Sequence, residues 1–395
     1  MTSLLGPDAT WPLLAAVVAG GAASIWLEQR FRWAARLGGP VLALGLAMIL
    51  SNLRLLPWEA PAYGVVDDYF VPIAIPLLLL GTHLRRIWRE AGSTFAAYHV
   101  AAFGSLVGAV LAAALFHAAI PRMPEVAGIM TGSYIGGGLN FMALRTTYQV
   151  EPELGNPLIV ADNFIMALMF AVLVVISGAR WFLRRYPHPH SGDADRVDSR
   201  ELTAQHWRRK DISLLDIAQA VGFAVVVTAA GFTLSGFLKA ILGSGTVVAV
   251  IANPYVLITF LTVALNGLAP AWTASIRGGE ELGMFLLYLF FFVLGVRADL
   301  LEVLRNVPLL FAFCLVMALT NLVVTLVLGR CFRMNLEELL LSVNATLGGP
   351  PSAAAMAISR GWSRLVLPGL LVGIWGYVIG TPLGILVAEL LRRWY

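Results

Sequence analysis

The chain has 395 residues, 59% of them hydrophobic and only 13% charged, with a net charge of +4. A soluble domain carries roughly 25% charged residues, so this balance excludes a water-soluble enzyme and indicates an all-α polytopic membrane protein. The small positive charge calls for no nucleic acid, since basic cytoplasmic loops account for it, and two cysteines, Cys314 and Cys331, set up no disulfide framework.

The opening Met-Thr-Ser-Leu-Leu-Gly-Pro-Asp lacks the basic region of a cleaved signal peptide. Six apolar segments follow, at about 11–29, 39–56, 65–82, 95–120, 126–144 and 156–179. Backbone groups unsatisfied in lipid make helices the default spanning element, and the strict alternation of a β-barrel is absent. Basic residues follow the first segment (Arg30, Arg32, Arg36), the third (Arg85, Arg86, Arg89) and the sixth (Arg180, Arg184, Arg185). All three clusters reach the cytoplasmic face only if 126–144 enters and leaves on one side. The reading is five crossings and one re-entrant hairpin, with both termini outside. Asp67 and Asp68 mark the exposed end of the third segment, and His99 and His117 read as packed or interfacial.

Residues 184–211 break the membrane character. They hold 12 charged residues and three of the six histidines, including His188 and His190 in a Pro-His-Pro-His run. This is read as a solvated cytoplasmic linker between two domains, 1–183 and 212–395, and not as a metal site.

Beyond the linker, uncharged runs occupy 221–238, 240–276, 307–329 and 365–388, the second too long for one crossing. The two halves correspond. "LLLLGTHLRR" matches "FFFVLGVRADL", aligning Gly81 with Gly295; Arg122 aligns with Arg333, Gly137 with Gly349 and Pro157 with Pro368, at offsets of 214, 211, 212 and 211 residues. Four landmarks in one order at one offset indicate an internal duplication, common in secondary transporters. An odd number of crossings inverts the second half. The first two segments of each half, 11–56 and 214–268, lack strong polar breaks and are assigned to a static, dimerising scaffold.

Each half carries a glycine-rich interruption: "TGSYIGGGLN" at 131–140 and "NATLGGPPS" at 344–352. Roughly ten helical residues rise about 15 Å, enough to reach the bilayer midplane, so the two tips should meet there from opposite sides. Glycine permits close approach and unusual φ values, and Pro350–Pro351 prevents a continuous helix. Broken helix ends offer N–H groups to a carboxylate and carbonyls to Na⁺. The candidate solute-binding residues are Thr131, Gly132, Ser133, Gly136, Gly137, Gly138, Asn140, Asn344, Thr346, Gly348, Gly349 and Ser352. Small-residue helix packing is the competing explanation. Asp162 and Asn163, in "VADNFIMALMF", are the candidate ion-coupling pair, because an intramembrane acid marks ion or proton pathways. The counterpart of Asp162 is Gly373, so any cation site is asymmetric. No P-loop or catalytic constellation occurs, which argues against an enzyme. No cofactor is expected beyond Na⁺ or H⁺ as coupling ion.

"TGSYIGGGLNFMAL", "ADNFIMAL", "LGGPPSAAAMAISRGW" and "LVLPGLLVGIWGYVIGTPLG" resemble the YjcL-like family of bacterial and plant membrane proteins. The paired hairpins are more distantly similar to those of sodium:glutamate and 2-hydroxycarboxylate symporters. That resemblance implies two inverted repeats of five transmembrane helices plus a re-entrant hairpin, an elevator-type motion and a multi-pass place in the bacterial inner membrane. It also puts the site at the two tips. Neither tip holds a fixed cation, so an anion would use N–H groups or nearby Arg145 and Arg360. The expected function is ion-coupled symport of a small, carboxylate-bearing solute by a homodimer in the lipid bilayer. A monovalent cation/proton antiporter is the alternative.

Overall fold

The computed structural model describes residues 3–31, 34, 39–190, 211–243, 245–297 and 300–395; residues 191–210 of the linker lie outside these. All regular elements among the described residues are helices. The first half contains α1 (Thr10–Arg30), α2 (Gly39–Asn52), a bent α3 (Pro61–Leu79), a short α4 (Leu84–Glu90), α5 (Ser93–Phe116), α6 (Met123–Gly136), α7 (Gly138–Tyr148) and α8 (Pro152–Gly178). The second contains α9 (Leu214–Leu242), α10 (Pro254–Leu268), α11 (Gly279–Val296), α12 (Leu300–Cys331), α13 (Leu336–Ser359) and α14 (Val366–Leu391). Eight of these are long and apolar enough to cross a membrane, and two shorter apolar helices fall within α2 and α10, at matching places in the two halves. The chain is a multi-pass membrane protein.

Local chemistry sets several boundaries. At the start of α9, the Ser213 hydroxyl accepts the Asp216 amide at 3.2 Å while the Asp216 carboxylate accepts the Ser213 amide at 2.9 Å, a reciprocal cap of two orphan donors. Asn253 caps α10, accepting the Tyr255 amide at 2.9 Å, with Pro254 at the first helical position. A π-helical turn, Val66–Phe70, bends α3. It carries Asp67 to the Arg297 guanidinium at the end of α11, 2.6 Å away. Asp68 is the exposed one of the two.

Packing sorts the helices into two groups. In the first, α1 and α2 lie on α11, α9 and α10 lie on α3, and α3 crosses α11. In the second, α5 packs on α12, α6 on α14, α8 on α12 and α13, and α13 on α14 and α5. The third helix of each half therefore joins the first two helices of the other half, and not the hairpins with which composition alone groups it. The reason is its surface. Residues 287–296 of α11 and nearly all of Val71–Leu79 are buried, and a helix apolar all round needs neighbours all round.

Glycines let the second group close up. A Cβ at Gly104 would lie 2.9 Å from the Asn321 carbonyl, and one at Gly108 2.7 Å from that of Met317. On α6, Gly128, Gly132 and Gly136 face Gly384, Gly380 and Gly376 of α14, an antiparallel match in steps of four. Small residues at this spacing allow membrane helices to approach to backbone contact.

Candidate functional site

Two helices break at glycine and fold back. Gly137 separates α6 from α7 with φ 71° and ψ −166°, and Gly349 divides α13 with φ 72° and ψ −168°. Both lie in a region of backbone space essentially restricted to glycine, and they stand 212 residues apart. In the first hairpin, Gly132 of α6 meets the Leu144 side chain of α7. A straight helix would hold residues this far apart at about 18 Å. The hairpin also closes at its base. Arg122, just before α6, donates to the carbonyls of Tyr148 at 2.8 Å and Gln149 at 3.2 Å, the last residue of α7 and its cap, and pairs with Glu151 at 2.9 Å. In the second hairpin, Asn344 donates to the Ser352 carbonyl at 2.7 Å across the break.

The two tips touch. A Cβ at Gly137 would lie 3.6 Å from the Gly349 Cα, and one at Gly138 would lie 3.2 Å from Phe291 of α11. Gly348 faces Ser352 and the Met166 sulfur of α8. The sequence thus located the breaks and their mutual approach.

Most of the polar candidates serve the hairpins' own cohesion. Thr131 donates to Ala127 within its helix, at 2.7 Å. Asn140 donates to the Gly376 carbonyl at 3.3 Å and accepts from the Thr381 amide and hydroxyl at 3.1 and 2.6 Å, clamping α7 to α14. Thr346 donates to Val343 and accepts from Asn321 at 3.1 Å. Ser352 donates to the carbonyls of Asn344 and Gly349. Arg145 is buried against Gly155 at the base of α8, two turns past the tip, and its Nε has no hydrogen-bond partner.

Ser133 is the exception. Its hydroxyl donates at 2.7 Å to Asp162 Oδ2, joining the first hairpin to α8. Asp162 is 6% exposed, its Oδ1 makes no hydrogen bond of good geometry, and the buried Tyr134 hydroxyl lies within interaction range of its carboxyl group. The Cys314 thiol of α12 is the next neighbour. Asn163 does not join this centre, because its amide donates back to Ile159 of its own helix at 2.8 Å. Gly373, the counterpart of Asp162, has no space for a side chain: a Cβ there would lie 2.6 Å from the Pro350 nitrogen. Packing therefore accounts for the asymmetry of the acid.

Two groups of contacts could not be read from segment composition. Tyr98 and Ser105 of α5 donate to the Ile135 and Tyr134 carbonyls, the latter at 2.5 Å, and satisfy acceptors orphaned by the helix end. Asn321 of α12 donates to both Ser105 and Thr346, at 2.8 and 3.1 Å, and so links the two hairpins. The start of the linker is largely exposed, as expected, yet is also anchored: Tyr186 donates to Leu326, Pro187 accepts the Leu336 amide, and the His190 amide donates to Glu337. Away from the tips, a cleft of about 330 Å³ opens where α7 meets α10 and α14, lined by Thr147, Gln149, Lys239, Asn253, Glu389 and Arg392 among others.

Residues 15–394 match the family described as "Protein of unknown function (DUF819)". The chain is also 41% identical over 388 residues to "Uncharacterized membrane protein YjcL" of Bacillus subtilis (strain 168), covering 97% of each. The chain belongs to this membrane-protein family.

Proposed function

We propose that this member of the DUF819 family is an ion-coupled secondary transporter of a small, carboxylate-bearing solute. The observation that carries the reading is the buried, unpaired Asp162 carboxylate tied by Ser133 to one of two glycine-broken hairpins whose tips touch. A buried acid without a basic partner is costly and marks ion pathways, and broken helices near the membrane centre are the usual substrate platforms of transporters.

A duplication in the backbone, which we read as inverted, supports the same reading. Left-handed backbone recurs at Arg122 and Arg333, at Gly137 and Gly349, and at Gln149 and Gly361, at intervals of 211 or 212 residues. Matched elements also meet each other: Gly137 against Gly349, α5 against α12 and α3 against α11, as a two-fold relation between the halves would give. The halves are then 1–183 and 212–395, each with five crossings and a re-entrant hairpin. The two packing groups suit an elevator in which the hairpin group slides along a fixed scaffold of α1–α3 and α9–α11, with dimerisation through that scaffold. The solute would lie at the tips, near Gly137, Gly138, Gly348 and Gly349. The Gly138 N–H, at the first position of α7, is the donor offered to a carboxylate, since that of Gly137 already donates to the Ser133 carbonyl.

Reconstituted flux tests this. Purified protein in proteoliposomes, given a panel of radiolabelled mono-, di- and tricarboxylates under imposed Na⁺ or proton gradients, should accumulate at least one of them. Asp162→Asn, nearly isosteric, should lose gradient-driven accumulation. Cation–proton exchange without any organic solute would favour the antiporter. Wild-type uptake by the Asn variant would remove Asp162 from coupling.

A further inference from the structure

We infer that the ion handled at the Asp162 centre is a proton bound by its carboxyl group, and not Na⁺; its role in coupling rests on the transport reading above, whereas its occupancy does not. A sodium ion needs a shell of oxygen ligands. The natural source would be the carbonyls at the broken end of α6, and these are engaged. The Ser133 carbonyl accepts the Gly137 amide at 2.6 Å, that of Tyr134 accepts the Ser105 hydroxyl at 2.5 Å, and that of Ile135 accepts the Tyr98 hydroxyl. Three of the last four carbonyls of α6 are therefore already committed to hydrogen bonds within the fold, which leaves few free lone pairs for a cation.

The remaining surroundings are equally poor for a metal cation. Besides the carboxyl itself, the centre holds the Ser133 and Tyr134 hydroxyls and the Cys314 thiol. Thiols suit soft metals, whereas a hard monovalent cation wants carboxylate, carbonyl or water oxygens. Asp162 belongs to none of the ion pairs among the described residues. The titratable groups facing it are Tyr134 from α6 and Cys314 from α12, and neither is cationic. A carboxylate isolated in this way neutralises instead of remaining charged.

A proton satisfies the same geometry. Bound at Oδ1, the oxygen without a partner, it makes the group neutral while Oδ2 keeps its hydrogen bond from Ser133. The Tyr134 hydroxyl, within interaction range of the carboxyl group, is placed to accept from it. The step is simple protonation, –COO⁻ + H⁺ → –COOH, with nothing oxidised or reduced. Loss of the proton leaves a bare charge between α8 and the first hairpin, which favours a state that admits water. The protonation state thereby biases whether the hairpin stays seated on α8.

Two measurements on the purified full chain test this without knowledge of the solute. Infrared difference spectra across a pH titration should show the C=O stretch of a protonated carboxylic acid. Asp162→Asn should lose that band, and Asp162→Glu should retain it, shifted. Thermal unfolding with NaCl against choline chloride at equal ionic strength should show no Na⁺-specific rise in midpoint, although a bound ion would raise it by mass action. The inference is overturned if the band survives in a folded Asp162→Asn protein, or if Na⁺ stabilises the wild type and that effect vanishes in the variant. If the band behaves as expected but no carboxylate is transported, the proton site stands and the transport reading fails.

Discussion

The two hairpins share a backbone and differ in what holds them. At their breaks, Gly137 and Gly349 have nearly the same φ and ψ. The first hairpin is secured from outside, by Tyr98 and Ser105 on its carbonyls, a glycine-to-glycine seam with α14, Asn140 on Thr381 and Ser133 on Asp162. The second is held from outside mainly at its base, by Ser93 on Glu338 and His190 on Glu337, and nearer its turn by Asn321 on Thr346 and the paired bonds of its own Asn344 and Ser352. Pro350 and Pro351 remove two donors there. A duplicated scaffold thus keeps the strained geometry in both copies while the polar contacts diverge. The copy fastened from outside close to its break is the one bonded to the acid, through Ser133.

The largest expected effect comes from the equivalent glycines just before each break. A Cβ at Gly136 would run into the Gly376 carbonyl and the Asn140 amide; one at Gly348 would meet no backbone atom but the Ser352 side chain, its Cβ at 2.8 Å, and the movable Met166 sulfur. Overpacking costs about 1–3 kcal/mol, more where backbone must shift. Gly136→Ala should therefore lose about 3 kcal/mol or fail to yield folded protein, against about 1 kcal/mol for Gly348→Ala. Thermal unfolding in detergent checks both. Equal losses would mean that the hairpins are fastened alike.

At the breaks themselves the comparison should vanish. The space around Gly137 and Gly349 is ordinary, with nearest atoms 3.6 and 3.5 Å from an added Cβ. Only the backbone conformation penalises a side chain, by about 1–3 kcal/mol in each case. Gly137→Ala and Gly349→Ala should match within about 0.5 kcal/mol. The double variant should depart from additivity, because the two residues touch.

Smaller effects should divide by hairpin. Ser105→Ala leaves the buried Tyr134 carbonyl and Asn321 amide each short of a partner, a cost of about 1–3 kcal/mol. Ser352→Ala removes part-buried bonds internal to the second hairpin and should cost about 1 kcal/mol. A cleavage or hydrogen-exchange measurement should show protection lost in both hairpins for Ser105→Ala, since Asn321 joins them, and in the second alone for Ser352→Ala.

Local signals made much of this legible. Uncharged runs located the helices, and a constant offset between Gly137 and Gly349 located matched breaks. An acid in an apolar run singled out Asp162. Partner choice was hidden, because it depends on which distant surfaces fit. No local pattern tells that α11 takes α1 and α2 as neighbours, or that Tyr98 lies over Ile135. Polar residue type also misled where a side chain turns inward on its own helix. Thr131 and Asn163 look like ligands in sequence and bond to Ala127 and Ile159 in the structure.

Asn163 gives the smallest and last expected effect. Asp162 and Asn163 are adjacent in sequence, but successive helical residues point about 100° apart. Asp162 consequently reaches Ser133, whereas Asn163 folds back on the Ile159 carbonyl and remains partly exposed. Such back-bonding competes weakly with the helix's own hydrogen bonds. Removing it by Asn163→Ala exchanges a weak helix former for the best one, so stability should stay within about 0.5 kcal/mol of wild type. Gradient-driven flux should be unchanged, in contrast to its loss in Asp162→Asn. Equal loss of flux in both variants would place Asn163 in the ion site after all, through a rotation of α8 during the transport cycle.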